Sequence, residues 1–315
     1  MAFDALMVLG SLVLLYLGAA GLVRGSASLA LRLGLTPLIV GLTVVAYGTS
    51  MPELVVSSKA ALAHQGDIAV GNAVGSNTLN IGVILGMTAL ICPLRVQFQL
   101  VKVDTPVMIG ASVLFLAMFR DAHISRPEAA VLFLGIVVYT IANIHLGRQH
   151  AAAEIRNAFD ASVPGLSRHW AVDLFFILIG LLVLVVGSRL LVTGSVNLAR
   201  AWGVSEAVIG LTIVAAGTST PELATSIVAA WNKQADIALG NIVGSNTYNM
   251  LCIPGISGLL APIDGAGISA FDLGVMLGTS AILLPILWTG FRLRRWEGAV
   301  LLLIYCGYVA VLWPK

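Results

Sequence analysis

The chain has 315 residues, of which 58% are hydrophobic and only 10% charged, against about 25% charged in an ordinary soluble domain. Its mean hydropathy is +0.98, and 17 basic against 15 acidic residues leave a net charge of +2. This excludes a soluble globular enzyme, offers no basic surface for nucleic acid, and indicates an integral membrane protein. Apolar runs long enough to cross a bilayer are read at 5–23, 37–62, 68–92, 103–119 and 127–146. After a polar stretch at 147–169 they resume at 170–191, 206–231, 237–261, 270–288 and 297–313. The runs are too long and lack the alternation of barrel strands, so the expected class is all-α, with ten transmembrane helices.

The run at 5–23 lacks a basic leader and a cleavage site, and is read as the first helix. The second and third runs carry the most informative feature of the sequence. Residues 41–80 recur at 210–249 without a gap, at an offset of 169, with about 26 of 40 positions identical. The expected organisation is a five-helix repeat at 1–146 (motif 41–86), a connecting loop at 147–169, and a second five-helix repeat at 170–315 (motif 210–255). Five is odd, so the second copy enters the membrane from the opposite side and the repeats are inverted in topology, as in many secondary transporters.

Placement of charge gives an orientation. Connections after the odd-numbered helices hold Arg24, Arg32, Arg95, Lys102, Arg148, Arg156, Arg168, Lys233, Arg292, Arg294 and Arg295. The other side holds Lys59, Arg120, Arg126, Arg189, Arg200 and Lys315. The positive-inside rule puts the first set in the cytoplasm, so both termini of this multi-pass protein are expected outside the cell (inner) membrane. Cys92, Cys252 and Cys306 have no metal-ligand spacing and read as packing residues.

Within one copy, Ala46, Thr49, Ser50 and Glu53 follow i, i+3, i+4, i+7 and share a helix face. Pro52 removes a hydrogen bond and clashes with the preceding turn, which predicts a break around 46–49. Freed carbonyls inside a membrane must line a cavity or bind something. Ala215, Thr218, Ser219, Pro221 and Glu222 repeat the pattern. A carboxylate in an apolar span is expensive and by default functional, and hard oxygen donors suit Na⁺ or Ca²⁺ over soft metals.

The next helix adds Ser76 and Asn80, matched by Ser245 and Asn249, each pair at i, i+4. Gly71 and Gly75, like Gly240 and Gly244, are spaced for close helix packing. Lys59 is the basic residue nearest Glu53, but its counterpart is Val228, which argues against a fixed ion pair in both halves. Asn72 and Asn241, or Asn77 and Asn246, are read as supports that orient the ligands, and Ser57 and Ser226 as lining of an access path. Asp67 and Asp236 read as helix N-caps. The five histidines lie near helix ends, without counterparts that suggest a proton relay.

The motifs GTSMPE, GTSTPE and the paired GSN segments resemble the alpha repeats of the cation/calcium exchanger superfamily, specifically prokaryotic sodium/calcium exchangers. The resemblance extends over essentially the whole chain. It implies an antiporter rather than an enzyme, without a cofactor or obligatory protein partner, carrying Ca²⁺ and Na⁺ through the lipid bilayer by alternating access. The implied ion ligands are Ala46, Thr49, Ser50, Glu53, Ser76 and Asn80 with Ala215, Thr218, Ser219, Glu222, Ser245 and Asn249, the alanines through backbone oxygens. It further implies that helices 1 and 6 slide against the core; Gly10, Gly18 and Gly21 in helix 1 and Gly180, Gly187 and Gly194 around helix 6 would allow such sliding, and ordinary close packing explains them equally well.

Many relatives, the potassium-dependent branch included, carry Asp where this chain has Asn249. With both asparagines neutral, Glu53 and Glu222 supply all the site charge, about −2 when ionised. One Ca²⁺ neutralises it, which argues against a K⁺ requirement. Alternatives are a proton/calcium antiporter, with protons on the same glutamates, a passive cation channel, and a membrane scaffold. The Thr–Ser pairs favour sodium over protons, deep dispersed ligands suit occlusion better than conduction, and a scaffold leaves the duplicated polar cluster unexplained.

Overall fold

The fold was analysed on a computed structural model, which describes residues 2–159, 169–203 and 215–312. It is helical apart from two pairs of two-residue strands. Helix α1 is Ala2–Leu33. The second run is divided into α2 (Pro37–Val40), a π-helical turn (Gly41–Val45), α3 (Ala46–Thr49) and α4 (Met51–Leu62). The third is α5 (Gly66–Leu79), a π turn (Asn80–Leu85) and α6 (Gly86–Ile91), followed by β1 (Leu94–Arg95). A π turn at Leu100–Asp104 leads into α7 (Thr105–Met118), then β2 (His123–Ile124) and α8 (Arg126–Phe159).

Beyond it lie α9 (Trp170–Ala201), α10 (Ala215–Gly217), α11 (Thr220–Trp231) and α12 (Ala235–Leu260). The chain ends with β3 (Ile263–Asp264), α13 (Ala270–Trp288), β4 (Arg292–Leu293) and α14 (Arg295–Leu312).

Helical segments overlap all ten expected runs, but the count of spans differs. Among the described residues seven helices are long and apolar enough to cross a membrane, or eight if the bent pair Pro37–Thr49 and Met51–Leu62 is one span. The expected run 206–231 lies partly outside the described residues. The run at 237–261 is α12, which is almost entirely buried within the protein. Its Asn241, Ser245, Asn246, Thr247 and Asn249 lower its apolarity, as befits a helix whose neighbours are protein rather than lipid.

Three boundaries also differ. Helices α1 and α9 run about ten residues past their expected ends, because Arg24, Arg32 and Arg200 sit inside them. Helix α8 continues to Phe159 into the stretch expected as loop, where Ala, Glu and Arg favour helix; residues 160–168 lie outside the described set.

Helices α1 and α9 pack closely, and glycine is required where they meet. A Cβ on Gly18 would come within 2.9 Å of the Gly180 carbonyl oxygen, and one on Gly180 within 2.7 Å of the Leu22 nitrogen. Gly10, by contrast, has open space around it. The Arg32 guanidinium bonds the Asp173 carboxylate at 2.5 Å at one end of this contact, and Asn197 donates to Asp4 at 3.0 Å at the other. Helix α12 lies against the bent run through Gly240 and Gly244, whose Cβ positions would meet the Leu38 and Leu42 carbonyl oxygens at 2.7 and 2.5 Å. That close approach seats Ser245 beside Ala46 and Asn241 beside Thr49.

The strands tie the two halves of the chain together. β1 pairs antiparallel with β4, matching Leu94 to Leu293 and Arg95 to Arg292. β2 pairs antiparallel with β3, matching His123 to Asp264 and Ile124 to Ile263. The 169-residue offset carries β1 onto β3 and β2 onto β4, so each tie is the image of the other.

Candidate ion-binding site

The break in the second run falls at Ser50 (φ −84°, ψ 7°), between α3 and α4, with a bend of 47°. It lies just beyond the expected 46–49. Pro52 occupies the first turn of α4, where its missing N–H is one that a helix start leaves unpaired anyway. The proline therefore begins a new helix rather than kinking an old one. Ser219 (φ −89°, ψ 8°) and Pro221 make the same break before α11. Upstream of Ser50, the π turn at Gly41–Val45 widens the helix before Ala46, and a second π turn begins at Asn80. Such turns concentrate at functional sites, and neither was legible from spacing.

Glu53 and Glu222 are each only 1% exposed. Their environment is reciprocal across the two halves. Ser50 Oγ donates to Glu222 Oε1 at 2.8 Å, and Ser219 Oγ lies 3.0 Å from Glu53 Oε1. Thr49 and Thr218 also face the Glu222 and Glu53 carboxyls respectively. The second oxygen of each carboxyl, Oε2, is buried and has no hydrogen-bond partner among the described residues. Each half thus supplies a carboxylate to a pocket whose hydroxyls come from the other half.

The surrounding residues extend this pattern. Ser219 Oγ is 3.2 Å from Ser76 Oγ, and Ser245 Oγ is 3.5 Å from the Ala46 carbonyl oxygen. Thr49 Oγ1 has two acceptors, the Ala46 carbonyl at 3.3 Å and Asn241 Oδ1 at 3.1 Å, for its single hydrogen. Asn80 Nδ2 donates to Asn246 Oδ1 at 2.9 Å; among the described residues Asn80 Oδ1 and both side-chain polar atoms of Asn249 have no partner. These contacts form two buried sets, Glu222 with Ser50, Thr49, Ala46 and Ser245, and Glu53 with Ser219 and Ser76; the start of α4 carries Ser50 of one set and Glu53 of the other, and the start of α11 carries Ser219 and Glu222. Thr218 borders the Glu53 set, and Asn80 and Asn249 sit on the flanking helices. Ala215 begins α10, but its side chain lies outside the described set.

Supporting asparagines hold the helices that carry the glutamates. Asn72 Nδ2 donates to the Glu53 carbonyl at 3.0 Å and to Ser57 Oγ at 2.9 Å. Asn241 Nδ2 does the same for the Glu222 carbonyl at 3.3 Å and Ser226 Oγ at 3.0 Å. Ser57 and Ser226 are fully buried in these contacts. Asn77 and Asn246 exchange bonds with each other's backbone carbonyls at 3.1 and 3.4 Å. The aspartates at the starts of α5 and α12 are not N-caps. Gln65 and Gln234 take those positions, while Asp67 accepts from the Gly267 backbone and Asp236 from Gln97.

Spacing also missed an aromatic pair. Tyr47, beside Ala46, packs at a tilt of 35° against Tyr248, beside Asn249, with ring centroids 4.7 Å apart, and the Tyr47 hydroxyl bonds Thr140 at 2.5 Å. The only trace in the sequence is that the copies differ there, Tyr47 matching Ala216 and Tyr248 matching Leu79.

What this arrangement can do is bind hard cations. It offers carboxylate, hydroxyl, amide and backbone oxygens converging from both halves, the donor type that Ca²⁺ takes in sets of about six to eight. Among the described residues no group of three or more His, Cys, Asp or Glu side chains gathers for a metal, so two carboxylates and neutral oxygens define the site.

Comparison with known proteins decides the family. The model of the sodium/calcium exchanger protein family matches residues 3–145 and 172–313. The chain belongs to the sodium/calcium exchanger family. It is 38% identical to the putative antiporter CaxA of Alkalimonas amylolytica over 321 residues, covering 100% of both chains. It is 33% identical to the sodium/calcium exchanger MaX1 of Methanosarcina acetivorans, over 98% of this chain and 97% of that one. Among solved structures, the sodium-calcium exchanger NCX_Mj soaked with zero Na⁺ and Ca²⁺ matches with a TM-score of 0.84 at 29% identity, covering 98% of this chain and 99% of that chain. Membership makes this a multi-pass membrane transporter of the cation/calcium antiporter class.

Proposed function

We propose that the protein exchanges Na⁺ for Ca²⁺ by alternating access at one site shared by Glu53 and Glu222. The observation that carries this reading is the reciprocal wiring of the two carboxyls. Each accepts from a serine of the opposite half through Oε1 and keeps Oε2 buried, without a partner among the described residues. Burying an uncompensated carboxylate costs several kcal/mol, so a loaded cation is needed before the site crosses the membrane. Ca²⁺ and Na⁺ compete for the same two charges, which couples their fluxes. Thr49, Ser50, Thr218, Ser219, Ser76, Ser245, Asn80 and Asn249 complete the oxygen set with backbone oxygens of Ala46 and Ala215.

The site sits between two inverted five-helix repeats in a ten-span arrangement, with both termini outside. Packing of Gly18 against Gly180 makes α1 and α9 one smooth pair able to slide over the core. Neutral Asn80 and Asn249 leave the charge balanced by Ca²⁺ alone, so transport needs no K⁺.

The test is uptake of ⁴⁵Ca²⁺ into Na⁺-loaded proteoliposomes at clamped pH, without K⁺. Uptake that follows the outward Na⁺ gradient is expected. Uptake that ignores Na⁺ and follows an imposed pH gradient would recast the glutamates as proton carriers, and a strict need for K⁺ would break the charge argument.

A further inference from the structure

The two strand ties are images of each other, yet their charges are opposite in kind. In the β2–β3 tie, His123 faces Asp264 and its Nδ1 lies 2.5 Å from Oδ1. The offset of 169 carries Arg95 onto Asp264 and His123 onto Arg292, so the β1–β4 tie sets Arg95 directly against Arg292. Like charges opposite each other in an antiparallel pair repel.

Arg294 and Arg295 follow at once, and all four arginines are exposed. None forms an ion pair among the described residues. The neighbouring carboxylates are engaged elsewhere: Asp236 accepts from Gln97, and Glu297 accepts from the Arg294 backbone at 2.6 Å. Arg295 donates to the Ile91 carbonyl at 3.4 Å. Four positive charges thus converge on one tie with no ion-pair partner among the described residues.

Aromatic side chains identify the depth at which this cluster lies. Trp288 closes α13, Trp296 opens α14, and both are at least half exposed, 50% and 60%. Amphipathic aromatics at the ends of apolar helices mark the membrane–water boundary. The Lys102 ammonium stands over the Trp288 ring at 5.4 Å, adding a fifth cation at the same level. A cluster of arginines at the boundary beside exposed tryptophans matches the charge and position of phospholipid phosphates.

We infer that Arg95, Arg292, Arg294 and Arg295 form a binding site for anionic phospholipid headgroups of the adjoining leaflet, which neutralise the β1–β4 tie as Asp264 neutralises its image. The lipid stands in for the missing carboxylate and holds the connection after α6 to the one between α13 and α14.

The experiment is the thermal midpoint of the full chain in detergent with added phosphatidylglycerol or phosphatidylcholine, compared with inorganic phosphate at equal concentration. Phosphatidylglycerol should raise the wild-type midpoint by a few degrees, on the order expected for a modest ligand, with phosphatidylcholine and phosphate giving much less. The variant Arg95→Gln with Arg292→Gln should lose most of the difference between the lipids, while Arg120→Gln, outside this tie, should keep it. Arg95→Asp copies the other tie and keeps Arg292. It should be more stable than wild type in phosphatidylcholine and gain little from phosphatidylglycerol. An unchanged lipid difference in both Arg95 variants would overturn the inference, as would an equal rise with inorganic phosphate.

Discussion

The helix carrying Ser76 and Asn80 and the helix carrying Ser245 and Asn249 share a motif but are built differently. In the first, α5 gives way at Asn80 to a π turn reaching Leu85; in the second, α12 runs as one α-helix from Ala235 to Leu260, through Pro254. Asn80 is held by Asn246, whereas neither side-chain polar atom of Asn249 has a partner among the described residues. Conversely, Asn241 is fully buried and bonds Glu222, Ser226 and Thr49, while Asn72 is only partly buried and bonds Glu53 and Ser57. The lesson is that a duplicated motif delivers equal ligands to unequal neighbours. The two carboxyls match, and the residues that aim them do not.

The comparison breaks first at the glutamates if it breaks at all. Glu53→Gln and Glu222→Gln should each abolish Ca²⁺ uptake, because removing one charge of a buried set costs about 3–5 kcal/mol, roughly two to four decades in affinity. Equal losses in proteoliposome flux would support equivalent carboxyls; activity surviving in one variant would assign the site to the other half.

The serines sharpen it. A hydrogen bond to a charged group is worth about 1.5–3 kcal/mol, so Ser50→Ala and Ser219→Ala should each weaken Ca²⁺ binding by about tenfold or more. Ser219→Ala should lose more, since Ser219 also meets Ser76. Calorimetric titration of both variants checks the order.

Asparagines come next. Loss of a group that orients ligands typically costs about 10- to 100-fold, and Asn241→Ala should fall nearer the upper end than Asn72→Ala. Apparent Ca²⁺ affinity in a flux assay measures the difference, and the reverse order would remove the asymmetry.

The smallest effect belongs to the β2–β3 tie. The hydrogen bond to Asp264 raises His123 above its ordinary value near 6.5. A cationic group raised by folding stabilises the fold fully below its unfolded value, and that contribution disappears as pH rises through the folded value. Both partners are exposed, so the effect is less than about 1 kcal/mol. The thermal-midpoint difference between wild type and His123→Gln should be present at pH 5.5 and vanish in the alkaline range.

Much of this was legible because charge and proline are rare in apolar runs. Glu53 and Glu222 announce a buried site, Pro52 and Pro221 announce a break, and the offset of 169 pairs their partners. What stayed hidden depends on packing. The π turns at Gly41–Val45 and Asn80–Leu85 have no residue signature, since widening a helical turn is decided by what lies against it. The break moved to Ser50 because a proline in the first helical turn costs little. Tyr47 and Tyr248 meet only in three dimensions, at positions where the copies disagree. Arg32 reads as a connection residue from charge alone, yet it lies in the last turn of α1 and bonds Asp173, 141 positions away.

The most direct test of a single site built by both halves is the stoichiometry of Ca²⁺ binding to the purified protein, measured by calorimetry with wild type, Glu53→Gln and Glu222→Gln, with Na⁺ as competitor. One Ca²⁺ per chain, displaced by Na⁺ and lost in either variant, is the predicted result. A variant that still binds Ca²⁺ with near wild-type affinity would contradict it, because each half would then hold its own ion.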